Sequence, residues 1–165
     1  MAYTLQQHIR YNLWANEKIA LFLSKADESI FDTEVSSSFS SLRKTVYHIW
    51  DAEVIWLKRL KGESISEWPS KSFAGNREQC LKEFIAHTRQ LANFVEACDE
   101  AQQQAIITYK NLKGEELHST VQEIVMHVVN HGTFHRGQLV TMLRGLGFTD
   151  LQSSDLITYL RTANS

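Results

Sequence analysis

The chain has 165 residues, 17 basic and 19 acidic, and a formal net charge of -2. That length suits one domain with a core large enough to need no disulfide or structural metal, and we read residues 1–165 as a single unit. The near-neutral balance excludes the basic footprint of a nucleic-acid binder and the polybasic stretch that seeks anionic lipid. The opening MAYTLQQHIRYNLWANEK has no apolar run preceded by positive charge, and nowhere do 18 apolar residues follow one another. Neither a signal peptide nor a membrane span is expected, and a cytoplasmic location is.

Glycine and proline are scarce, at seven and one, and apolar residues recur at helical intervals over four stretches, an all-α pattern. The first stripe runs through Leu5, Ile9, Leu13, Asn16, Ile19 and Leu23 to an acidic turn at 27–29. The second helix opens after a serine cluster at 36–41, a natural N-cap region, and carries Leu42, Val46, Ile49, Trp50, Glu53, Trp56, Leu57 and Leu60 to a stop at Gly62. The segment GESISEWPSKSF is expected to be a loop. Asn76 then starts a third helix through Cys80, Phe84, His87, Leu91, Phe94 and Cys98. Its two cysteines, 18 positions apart on one helix, are separated by roughly 27 Å and cannot pair; reduced, idle thiols are expected.

AIITYKNLKGEELHS alternates around a Lys-Gly turn, which reads as a short β-hairpin or equally as an ordered crossover. The fourth helix is expected from about Thr120, where Thr-x-x-Glu resembles a capping box, to the Gly145 and Gly147 pair. A short element, SDLITYLRT, follows. Four helices of this length argue a four-helix bundle, whose sites are built from side chains on facing helices.

The fourth helix reads HVVNHGTFHRGQL and sets His127, His131 and His135 four residues apart, stacked along one side. Its apolar stripe centres near Val128; at about 100° per residue, His135 falls within about 20° of that centre, His131 within about 60° and His127 about 100° away. His131 and His135 therefore point into the bundle at ligand spacing, and His127 stays at the shoulder. A core imidazole is costly unless it is hydrogen-bonded or metal-bound, so the pair reads either as two satisfied core histidines or as two metal ligands. A third ligand is available on the second helix, from His48 or from Asp51 or Glu53. Three imidazoles suit Zn, Ni or Cu; two with a carboxylate favour non-haem iron. Three protein ligands leave an open position. The zinc-protease motif is not met, because Gly132 stands where its glutamate would be, and no nucleophile elbow or phosphate-binding glycine loop is present.

YNLWANEKI (11–19), VYHIWDAEVIW (46–56), NHGTFHRGQL (130–139) and DLITYL (155–160) together resemble the DinB family, nearly end to end and in order. The resemblance implies a bundle in up-down-down-up order, often a homodimer, with a divalent metal on three histidines matching His48, His131 and His135. It also marks Asn16 and Gln138 as recurrent positions, expected near the site as supporting or packing residues. Members of the wider superfamily include transferases that use a low-molecular-weight thiol such as bacillithiol or mycothiol. The expectation is thus a metal-dependent S-transferase, with Zn or Ni as the metal and a small thiol as partner. A metal-dependent hydrolase and a non-catalytic metal-binding stress-response module are the alternatives.

His8, His87 and His118 show no partner pattern and are expected to be solvated or packed. Trp14, Trp50, Trp56 and Phe134 read as core or helix-contact aromatics, with the further reading that one of them walls a pocket above the metal. Arg136 is expected to pair with an acid such as Glu123 on the surface, its other reading being a contact to an anionic substrate group.

Overall fold

The computed structural model describes residues 3–63, 67–111 and 113–163. It is mostly helical, with one two-stranded antiparallel sheet. The long helices are α1 (Leu5–Ser24), α3 (Leu42–Leu60), α5 (Arg77–Glu96) and α7 (Val121–Gly145). Between them lie single turns, α2 (Glu28–Phe31), α4 (Pro69–Ser72) and α6 (Glu100–Gln103), and α8 (Leu156–Ala163) is the last element among the described residues. Strands β1 (Ile106–Lys110) and β2 (Glu116–Thr120) pair in the register Ile106 to Thr120.

Local chemistry sets these boundaries. Thr4 with Gln7, Asn76 with Gln79, and Thr120 with Glu123 each form a reciprocal capping box at the start of α1, α5 and α7. Ser41, the last of the serine cluster, caps α3 through the amide of Lys44. Gly62 follows α3 at φ +71°, a left-handed conformation that glycine adopts without a Cβ penalty.

Two expectations change in detail. The acidic turn at 27–29 contributes Glu28 and Ser29 to the helical turn α2, and the segment expected as loop holds α4, started by Pro69 at its first position. Residues 64–66 of that segment lie outside the described residues. The hairpin is present: its strands flank a turn with Gly114 at φ +82°, and the neighbouring residue 112 is not described. Arg59 lies over the rings of Trp56 and Tyr109, fastening the hairpin to α3.

Two apolar clusters fill the interior. One gathers Ile19 and Leu23 from α1, Leu42 and Val46 from α3, Cys80 and Phe84 from α5, and Leu139 and Leu143 from α7. The other gathers Ile9, Leu57, Leu60, Leu91, Val95, Val121 and Ile124 from the opposite ends of the same helices. Burying each such side chain contributes about 1.5–3 kcal/mol. Helix α1 packs on α5 and α7, and α3 packs on the same two helices. Both cysteines are free and buried, and burial pushes the Cys80 thiol up to about 12. No helix among the described residues is long and apolar enough to cross a membrane.

Candidate metal centre

Helix α7 exposes one side and buries the other, and its histidines lie on the flank facing α3. His135 is 6% exposed and His131 is half-buried; His48, one turn and a half into α3, meets them from across the interface. One ligand nitrogen from each of the three lies within 4.8 Å of the others. The Nε2 atoms of His48 and His131 are 3.0 Å apart. Two nitrogens about 2.05 Å from one ion at a tetrahedral angle would be about 3.3 Å apart, so the side chains stand close to the separation a shared ion requires.

The surroundings prepare the imidazoles for ligation. His135 Nδ1 donates to Gln138 Oε1 at 2.7 Å, which in the neutral ring selects the tautomer whose Nε2 is the nitrogen available to an ion. Gln138 Nε2 in turn donates to Ser38 Oγ. Burial, and then the neighbouring His135, His48 and His127, pushes His131 down to about 4. Burial and then His135 also lower His48. Both therefore favour the neutral form, the form that coordinates a metal.

Aromatic rings wall the cluster. Phe39 stacks on His48 with ring centroids 4.3 Å apart, and its edge approaches His135. Phe134, expected as a core or helix-contact ring, is 63% exposed and stands edge-on to His135. The cause is angular: one residue before His135, it lies about 100° around the helix towards solvent. Trp56 packs edge-on to His127, which remains exposed on the shoulder of α7 beside His131.

The family model for the DinB family matches residues 1–163. The chain belongs to the DinB family. It is 27% identical over 145 residues to Protein DinB of Bacillus subtilis (strain 168), covering 84% of this chain and 83% of that one. Among solved structures, a DinB-like protein from Bacillus cereus ATCC 10987 superposes with a TM-score of 0.66 at 15% identity, over 85% of this chain and 90% of that one. A DinB-like protein from Bacillus subtilis gives a TM-score of 0.66 at 17% identity, over 90% and 97%. At these identities the two structures speak for the fold.

The two carboxylates that competed for the third ligand position in this DinB-family chain are used elsewhere. Asp51 accepts from the amide and hydroxyl of Ser70, tying α4 to α3. Glu53 is buried in the core, where Asn12, Asn16 and Thr88 donate to it. Arg136 corrects the surface expectation: it is 2% exposed and donates to Oδ1 of Asn12 and of Asn16 and to Thr133 Oγ1. Glu123 instead closes the cap of α7. Gly132 has a reason beyond the missing protease glutamate, since a Cβ there would stand 2.8 Å from Arg136 Nη1.

Gln138 supports the site directly, whereas Asn16 belongs to the Arg136 and Glu53 network. His8, His87 and His118 pack against Tyr3, Trp50 and Thr108 and take no part in the cluster. Sequence reasoning missed Phe39, Ser38, Asn12 and Thr88. The available signal was polar residues inside apolar stripes, Asn16 on α1 and Glu53 on α3, which demand buried partners.

Proposed function

We propose that this chain is a metal-dependent S-transferase that holds one divalent ion, Zn or Ni, on His48, His131 and His135 and uses it on a low-molecular-weight thiol. The observation that carries the reading is three convergent imidazoles from two helices, with no fourth His, Cys, Asp or Glu among the described residues within reach of all three. A metal there would act as a Lewis acid, lowering the pKa of a thiol sulfur and presenting it to an electrophile. Gln138 orients His135, and Phe39 and Phe134 supply apolar walls against which an organic substrate can lie. His131 and His48, disfavoured as imidazolium, do not compete with the ion for a proton near neutral pH.

The same reading takes the long helices as a four-helix bundle in up-down-down-up order. Support comes from the two core clusters, each joining the start of α1 and α7 to the end of α3 and α5, or the converse. It also takes the chain as a homodimer. Between Glu123 and Arg144 the exposed positions of α7, Met126, His127, Asn130, Thr133, Phe134, Gly137 and Thr141, carry no formal charge, unlike an ordinary solvated face. Sedimentation velocity checks this, a monomer at micromolar concentration counting against it.

The decisive experiment measures metal content of untagged protein, native and as His48→Ala, His131→Ala and His135→Ala, followed by transfer of small thiols to an aryl halide. About one equivalent in the native chain, lost in each variant, with thiol-dependent turnover, supports the reading. A metal-loaded protein that turns over an ester without thiol points to the hydrolase, and one inert to both points to the non-catalytic module.

A further inference from the structure

One buried polar network touches all four long helices. Arg136 on α7 donates from Nη1 to Oδ1 of both Asn12 and Asn16 on α1, at 2.8 and 2.7 Å. The Nδ2 groups of the same two amides donate to Glu53 Oε1 on α3, at 2.7 and 2.8 Å. Thr88 on α5 donates to Glu53 Oε2 and accepts from Asn16 Nδ2. The guanidinium and the carboxylate are thus joined through two parallel amides, each with its oxygen towards the cation and its nitrogen towards the anion. Asn12, Asn16, Glu53, Thr88 and Arg136 are all buried.

Stability does not account for this arrangement, because replacing a buried ionic set with apolar residues of similar volume is often neutral or favourable. What a directional set of hydrogen bonds supplies is a fixed rotation of one helix against another. The residues involved are placed to use it. On α7, Gly132 and Arg136 immediately follow the ligands His131 and His135, and a Cβ at residue 132 would force the guanidinium out of its present position. On α3, Glu53 lies five residues beyond His48. Each helix that carries a metal ligand is therefore pinned to α1 by a charged side chain.

We propose that Arg136 and Glu53, coupled through Asn12 and Asn16, are positioning residues for the metal centre, setting the rotation of α7 against α3 and with it the bite of the three histidines. A rotation of about 10° moves a group about 6 Å from a helix axis by about 1 Å, and a coordination site tolerates about 0.5 Å. The inference rests on the metal-binding reading of the three histidines and adds what holds them in place.

The test replaces the network with apolar residues, Asn12→Leu, Asn16→Leu, Glu53→Met and Arg136→Met together, leaving every ligand, Gln138 and the aromatic walls intact. Co(II) serves as the probe, read through its affinity against a chelator and its visible d–d bands, beside helicity and urea unfolding of the metal-free chain. We expect a folded, cooperatively unfolding variant that binds Co(II) about tenfold or more weakly, the usual range for support of a ligand, with altered d–d intensities. Native affinity and native bands in the folded variant overturn the proposal. Should the fourfold variant not fold, Arg136→Lys and Glu53→Gln give the same readouts, and native values in both overturn it equally. No Co(II) uptake by the native chain defeats the metal reading and this inference with it, whereas native uptake with unchanged variants defeats this inference alone.

Discussion

The Nδ1 of His135 lies 2.7 Å from Oε1 of Gln138, three residues further along the same helix. That spacing places the two side chains on neighbouring turns, so a single helix supplies both a candidate ligand and the acceptor for its Nδ1. Gln138→Leu removes the acceptor and leaves His135 free to present either nitrogen. The expected result is a loss of metal affinity of about tenfold to a hundredfold with little change in metal-free stability, measured by chelator competition and urea unfolding.

Two glycines of α7 should respond to alanine in opposite ways. At Gly132 a Cβ would meet Arg136 Nη1 at 2.8 Å and Asn12 Oδ1 at 3.1 Å, both held in the buried network. Gly132→Ala is expected to destabilise by about 1–3 kcal/mol as those groups shift. At Gly137 a Cβ meets nothing within 4 Å, and Gly137→Ala is expected to stabilise by about 1 kcal/mol through helix propensity. Denaturant midpoints of the two variants check the pair, and equal shifts would count against the placement of Arg136.

Removing Arg136 alone leaves Glu53 as a buried carboxylate without its cation. Arg136→Ala is expected to cost about 3–5 kcal/mol. Arg89, which pairs with Glu17 on the surface, is the control: Arg89→Ala is expected to cost at most about 1 kcal/mol. Chemical denaturation of both variants measures the contrast.

The metal-free protein should lose stability in mild acid. His131 is held at about 4 and His48 is also lowered, while both titrate near 6.5 in the unfolded chain. As pH falls from about 6.5 towards 4 the unfolded state takes up protons that the folded state refuses, so unfolding becomes easier across that window. Urea midpoints at pH 7 and pH 5 should differ, and the difference should shrink in His131→Gln.

How much of this was legible beforehand differs from residue to residue. The capping box at Thr120, the start of a helix at Asn76 and the inward pair His131 and His135 were visible, and the hairpin around Gly114 was one of two readings, because each depends on neighbours within a few positions and on the periodicity of the apolar residues. Arg136 was misread because the partners that draw it into the core, Asn12 and Asn16, stand more than a hundred positions away. For Phe134 the core reading fails, since its angle on α7 faces solvent, whereas the reading of an aromatic wall beside the histidines agrees with its contact to His135.

The sequence by itself therefore determined the four long helices and the two histidines that share a helix face, since these follow from local hydrogen bonding and periodicity. Periodicity and spacing left His48, Asp51 and Glu53 open, the family resemblance pointed to His48, and only the tertiary structure brings its side chain, and not those of Asp51 or Glu53, to the pair. Neighbouring positions on α3 point in different directions, and which of them meets α7 depends on the rotation at which the two helices pack. That rotation is a sum of contacts between residues far apart in the chain.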